Sequence, residues 1–295
     1  MEKINSLAYS NGKLAFSYDE GKVAILEIKT GETTRVGINF RKPTGASSID
    51  IRGDYIAACN YEAIIVNWKT GETLFSTRGT GMMPDSVLFA NDSNKVIITG
   101  HEDVLIYNIA TGTYFNQFVG LNGFVDAAIL DDDTLMCADY TGYVHFFSMN
   151  KSKSFRHFEA EEEVYGMAVA EQDGVLYLWN LAFACKFDIQ TGQFIRLFAT
   201  RIIDPQIDSY EEEDLQFESG ILSHRKDMLI SAGRSDLMYL WNTTTGELIK
   251  TLPSYSAAFA VTENNILYTG GKEGGLYRWN LDTFEGEEVH ITGLD

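Results

Sequence analysis

The chain has 295 residues, 45% of them hydrophobic and 13% aromatic, with only 4 prolines; a chain of that size and composition buries roughly 75% of its extended surface, which excludes wholesale disorder. Its 42 acidic against 23 basic residues leave a formal net charge of −19. That sign opposes binding to phosphate backbones or anionic membrane, so neither nucleic acid nor membrane is expected as a partner, while solubility and attraction to a basic partner are.

The chain opens on "MEKINSLAYSNGK", which has no signal-like apolar stretch, and no later run approaches the roughly 18 apolar residues of a membrane span. Within this segment "INSLAYS" (4–10) reads as a first strand, and the first Thr-Gly turn follows at Thr30-Gly31. Thr-Gly recurs at Thr70-Gly71, Thr111-Gly112, Thr191-Gly192 and Thr245-Gly246. The steps of 40 and 41 residues, then 80, leave room for a degenerate unit with Lys151-Ser152 at its turn, and a last unit turns at Thr283. The third unit shows the internal pattern: "SVLFA" (86–90), "KVIITG" (95–100), "VLIYNIA" (104–110) and "YFNQFVG" (114–120) are β-rich runs separated by turn residues.

Three residues before each turn stands a polar residue: Glu27, Asn67, Asn108, Ser148, Asp188, Asn242 and Asn280. A large apolar one precedes it: Leu26, Val66, Tyr107, Phe147, Phe187, Trp241 and Trp279. A third register places a small residue 22 to 25 positions before the turn: Ser6, Ser48, Ser86, Ala127, Gly166, Gly220 and Ala258. Four short strands per roughly 40 residues, repeated around an axis where innermost strands converge, predict an all-β fold: a seven-bladed β-propeller with four antiparallel strands per blade. The blades are expected near 3–40, 41–80, 81–121, 122–160, 161–201, 216–253 and 254–295, as one domain, with an acidic insertion at 202–218.

The aromatic-polar step before the turn, in "YLWNTTTGELIKTL", "YRWNLDT" and "IYNIATG", resembles the WD-repeat family over the whole chain. It departs from that pattern in two ways. No Gly-His pair precedes a first strand, since Gly100-His101 lies between second and third strands, and Trp-Asp is replaced by Trp-Asn in the last two units only. The buried hydrogen-bond network typical of the family is therefore not expected in full. The chain starts on an inner strand and ends on an outer one, "EEVHITG" (287–293), so the ring is expected to close by blade packing without a clasp. The "TGE" turns also resemble pyrroloquinoline-quinone propellers, but no tryptophan follows them. Paired glycines end a strand only at Gly270-Gly271, against the kelch pattern, and no Asp-box is present.

Motifs that carry chemistry are sparse. His101, His145, His157, His224 and His290 have no metal-ligand spacing, and neither a nucleophile elbow nor a phosphate-cradling loop before a helix is present. "ILDDDTL" (129–135) lacks the alternation and glycine of a calcium loop and reads as a solvated turn. No metal or other cofactor is expected, and no enzymatic activity. Cys59, Cys137 and Cys185 fall inside apolar runs and are expected as core thiols in a reducing compartment, hence a cytoplasmic protein.

The 54-residue step from Thr191 to Thr245 contains "RIIDPQIDSYEEEDLQFESG" (201–220), which carries Asp204, Asp208, Glu211, Glu212, Glu213, Asp214 and Glu218, with Tyr210 and Phe217 interleaved. It reads either as a solvated insertion or as an acidic docking loop for a basic partner. By strand count it joins the outer strand of blade five to the inner strand of blade six, on the face that also carries the turns between second and third strands. The WD-repeat resemblance implies that this face grips peptides. Other loops expected there carry Phe40, Arg41, Met82, Met83, Phe124, Tyr165 and Tyr255, residue types suited to interface centres. The expected function is a non-enzymatic protein-interaction scaffold, monomeric on its own, binding a protein or peptide with a basic segment. A small-molecule or enzymatic propeller using its axial pocket, and an acidic inhibitor of a basic protein, stand as alternatives.

Overall fold

A computed structural model describes residues 4–42, 46–90, 94–101, 103–119, 123–131, 133–150, 153–160, 163–180, 184–198, 219–232, 237–254, 258–270 and 275–291. Twenty-eight strands form seven sheets of four consecutive antiparallel strands, numbered here as blades one to seven. They span Ile4–Val36, Ser48–Ser76, Pro84–Val119, Phe124–Glu159, Gly166–Phe198, Ser219–Pro253 and Phe259–Val289. The only helical element among the described residues is one 3-10 turn, Glu171–Asp173.

The repeated phrase is the chemistry of one hairpin turn, between the third and outer strands. In blade two, Asn67 Oδ1 accepts the backbone N–H groups of Lys69 and Thr70, both at 3.1 Å. In blade six Asn242 does the same for Thr244 and Thr245 at 2.8 Å, and in blade five Asp188 accepts from Thr191 N at 2.7 Å. The turn then closes with the glycine N–H donating back to the carbonyl four residues earlier, as from Gly71 to Asn67 and from Gly246 to Asn242, each at 2.8 Å. Closure puts Gly71 at φ 75° and Gly246 at φ 76°, a region that favours glycine because it has no Cβ. Thr-Gly therefore recurs because the blades that carry it make the same bend, which blade seven makes with Phe284 at φ 59°.

Within a blade, the two middle strands are buried almost throughout, as in "KLAFSY" (13–18) and "AIIVN" (63–67), whereas outer strands such as "ETLFS" (72–76) are largely exposed. The cause is that the middle strands have a neighbouring blade on each face. The core is accordingly divided into seven clusters, one in each gap between consecutive blades. The seventh joins the chain's ends: Ile4, Leu7, Leu14 and Phe16 of blade one pack on Ala258, Ala260, Tyr268 and Leu276 of blade seven. Among the described residues no strand is exchanged between these blades, and apolar packing joins them.

Polar contacts supplement that packing near the axis. On the inner strand of blade two, Asp50 accepts from Ile51 N at 2.8 Å through Oδ1 and from Phe89 N of blade three at 2.7 Å through Oδ2. Asp126 of blade four repeats the arrangement, accepting from Ala127 N at 2.8 Å and from Met167 N of blade five at 2.9 Å. Burial pushes both carboxyls up to about 6, against the lowering effect of those N–H groups. The two Trp-Asn blades keep part of a buried polar network: Trp241 Nε1 donates to Ser231 Oγ at 3.0 Å and Trp279 Nε1 to Thr269 Oγ1 at 3.4 Å. Cys59, Cys137 and Cys185 are buried thiols, and burial pushes the Cys59 thiol up to about 12.

Candidate functional site

The turn joining the second and third strands of blade two, Tyr55–Cys59 and Ala63–Asn67, consists of Asn60, Tyr61 and Glu62. It is closed by Asn60 N donating to Glu62 O at 3.1 Å and Glu62 N to Asn60 Oδ1 at 3.2 Å. This geometry leaves Tyr61 53% exposed and turns Glu62 inward, only 6% exposed. On one side lies the loop from blade one, with Arg41 and Lys42; on the other lies the loop to blade three, with Arg78, Gly79, Gly81 and Met82. Together they enclose a cleft of about 480 Å³.

Glu62 organises the cleft. Its Oε2 accepts from Arg78 Nε at 3.0 Å, and its Oε1 accepts from Arg78 Nη2 at 3.0 Å and from the backbone N–H of Arg41. The hydrogen bond from Arg78 holds the Glu62 carboxyl below its ordinary range against the opposing effect of burial, with the Arg41 N–H adding to it. A bidentate guanidinium–carboxylate pair is both strong and directional, so one buried acid ties both inter-blade loops to the blade-two turn. Lys42 Nζ stands 4.1 Å from the centroid of the Tyr61 ring, a cation–π contact, and Asn60 Nδ2 donates to Lys42 O at 3.4 Å. The second loop is braced by Thr77, whose Oγ1 accepts from Ala63 N at 2.9 Å, and by Thr80, whose Oγ1 donates to Thr77 O at 2.8 Å and accepts from Met82 N at 3.2 Å.

Of the residues expected on this face, Arg41 and Met82 line the cleft. Met83, which follows Met82 in the chain, is 62% exposed. Met82 is half-buried against the core between blades two and three, and Phe40 is half-buried against the core between blades one and two. Tyr165 forms a separate cluster between blades four and five: it meets Tyr140 edge-on at 5.2 Å, the two hydroxyls hydrogen-bond, and its O–H also reaches Glu163 Oε2 at 3.4 Å. The hydrogen bond with Tyr140, then burial, pushes the Tyr165 hydroxyl up to about 12. Phe124 begins the inner strand of blade four, and its side chain lies outside the described residues, as do Tyr210, Glu211, Glu212, Glu213, Asp214, Phe217 and Tyr255.

Sequence reasoning did not single out Lys42, Tyr61, Glu62, Arg78 or Tyr140. The available signal was topological: the second-to-third strand turns share the face of the inter-blade loops, and an aromatic in such a turn, Tyr61 or Tyr140, was open to the same reading as Met83 or Tyr165. Among the described residues no group of three or more His, Cys, Asp or Glu is placed to hold a metal ion. Asp139 and His145, 3.0 Å apart, are both buried.

No protein-family model matches the chain, and no curated protein matches it. Among solved structures it is similar to the WD40 beta propeller domain of Doa1, with a TM-score of 0.72 at 14% identity over 94% of this chain and 92% of that one. The likeness at that identity is one of fold, and it agrees with the seven four-stranded sheets described above. The chain is a WD-repeat-like seven-bladed β-propeller.

Proposed function

We propose that the chain is a non-enzymatic, cytoplasmic protein-interaction scaffold that holds a partner protein or peptide on the face formed by the inter-blade loops and the second-to-third strand turns. The observation that carries this reading is the blade-two cleft, where three segments distant in sequence converge on a preformed concavity of about 480 Å³ flanked by exposed Tyr61 and Met83. Concave sites with a few fixed polar groups and apolar anchors are where binding energy concentrates. The fold likeness to a WD40 propeller is compatible with this reading by analogy of fold alone. The net charge of −19 and the acidic insertion at 202–218 favour a partner with a basic segment, drawn in by charge and retained by the apolar anchors.

The test is capture from host lysate with three baits: the intact chain, a Tyr61→Ser/Met83→Ser variant, and a chain whose residues 204–217 are replaced by a Gly-Ser turn. The reading expects a protein retained by the first bait and lost from the second at unchanged melting temperature. Loss from the third assigns the insertion to docking. Equal retention by all three baits would overturn the assignment of this face.

A further inference from the structure

The local charge of the cleft is opposite to that of the chain. Arg41, Lys42 and Arg78 face a single carboxylate, Glu62, within one concavity of a protein whose formal net charge is −19. Glu62 is largely occupied: Oε1 accepts from Arg78 and from the Arg41 backbone and Oε2 from Arg78, three of the roughly four accepting positions of a carboxylate. Among the described residues the Arg41 guanidinium forms no ion pair at contact distance, although its charge acts on Glu62, and the contact of the Lys42 ammonium is with the Tyr61 ring. Arg78 remains 56% exposed despite its ion pair. Among the described residues three cations of the cleft thus share one carboxylate, next to an exposed tyrosine and an exposed methionine.

We propose that the cleft binds an acidic side chain, Asp or Glu, on a peptide segment of the partner, with an adjacent apolar residue seated on Tyr61 and Met83. This rests on the loop-face reading above and deepens it by assigning the sign of the ligand at this cleft. Two physical points favour a carboxylate. The cleft already holds one, Glu62, by bidentate guanidinium contact and a backbone N–H, the donor set that matches carboxylate geometry. A lysine or arginine placed there would meet three cations against one carboxylate already bound to a guanidinium and a backbone N–H. The distant negative charge of the chain does not cancel this preference, because it is screened over about 8 Å at physiological ionic strength while contacts inside the cleft are not. A partner can thus carry a basic segment that answers the acidic exterior and an acidic residue that enters the cleft.

The experiment is selection of a random peptide-display library on the intact protein, repeated on Arg41→Glu/Lys42→Glu and on Tyr61→Ser/Met83→Ser, after melting curves have shown that both variants fold. The strongest peptide is then synthesised with its acidic residue as Glu, Gln or phosphoserine, and its affinity is measured. The expected result is enrichment of Asp or Glu beside apolar residues, at least tenfold weaker binding to both variants, and at least tenfold weaker binding of the Gln peptide. Enrichment of Lys or Arg that is lost on Tyr61→Ser/Met83→Ser would overturn the assigned sign and leave the face standing as a docking surface. Peptides indifferent to both variants, or no enrichment, would overturn the proposal and count against the face as well. Tenfold or greater preference for the phosphoserine peptide would replace the carboxylate by a phosphoryl group.

Discussion

Replacing Gly166 by alanine isolates the packing rule on which the ring depends. Gly166 opens the inner strand of blade five and pairs across the sheet with Trp179. A Cβ at this position would stand 2.4 Å from Trp179 Cε2 and 2.5 Å from Cζ2 and Nε1. Carbon atoms in favourable contact sit roughly 3.5–4.0 Å apart, so the indole must retreat by about 1 Å. Its far edge faces Gly220 of blade six, whose missing Cβ is space the ring already uses: one built there would stand 3.3 Å from Cη2, Cζ2 and Cζ3. Trp179 is 5% exposed and packs in the cluster between blades five and six with Ala170, Leu222, Leu229 and Trp241.

Overpacking of this kind costs about 1–3 kcal/mol, and the constraint on both sides of the ring puts the expected loss near the upper end, about 3 kcal/mol. At roughly 2 °C per kcal/mol for a chain of this size, the melting temperature of Gly166→Ala should fall by about 6 °C. The assay is urea and thermal unfolding of a double-mutant cycle with Trp179→Phe, in which the smaller ring relieves the clash. That background sacrifices no hydrogen bond, because Trp179 Nε1 has no partner among the described residues. There Gly166→Ala should cost less than about 1 kcal/mol. An equal loss in both backgrounds would refute the account, since the indole would then not be what excludes the methyl.

Three further outcomes are expected. Glu62→Gln should destabilise by about 1–2 kcal/mol at pH 7 through loss of charge-assisted hydrogen bonds; since the Glu62 carboxyl is lowered in the folded state, the gap should close as pH falls through that value in urea titrations, and no gap at pH 7 would refute the role. Asp50 is raised to about 6 on folding, so the folded state holds its proton more tightly and stability drains as pH rises toward 6; between pH 4.5 and 7.5 the stability of Asp50→Asn relative to the unmutated chain should rise by about 2 kcal/mol, and a pH-independent difference would refute it. Neutralising Glu211, Glu212, Glu213 and Asp214 should slow association with the captured partner and flatten its salt dependence at unchanged melting temperature, whereas an unaltered salt slope in stopped-flow mixing would remove the steering role.

The fold was legible because its repeating constraint is local. A turn that needs a side-chain acceptor, three intervening residues and a residue tolerant of positive φ writes itself into adjacent positions, as Asn67 to Gly71 and Asn242 to Gly246 show. The small-residue register was legible for a related reason, and Gly166 and Gly220 owe it to a single indole that lies against both. The cleft was not legible, because its logic is non-local. Glu62 and Arg78 are 16 residues apart in sequence, and Arg41 reaches the same carboxylate from 21 residues away through its backbone; no spacing rule announces such a pair. Asp50 and Asp126 were invisible for the same cause, since their partners Phe89 and Met167 lie 39 and 41 residues on, in the next blade.

The same non-local contacts bear on how the face can work. A buried acid on a binding surface is a poor way to gain stability, because its desolvation offsets much of the attraction to its partner. Glu62 instead fixes shape: without a ligand it holds Arg78 in one orientation and ties the Arg41 backbone to the blade-two turn. Loops ordered beforehand lose less conformational freedom on association, which is where much of the unfavourable free energy of binding resides. On the proposed reading, a segment with an acid and an apolar neighbour in register gains contacts inside the cleft that an acidic segment meeting the rest of this negatively charged surface does not. Discrimination would then arise from the contrast between the charge of the cleft and that of its surroundings more than from the strength of any one contact.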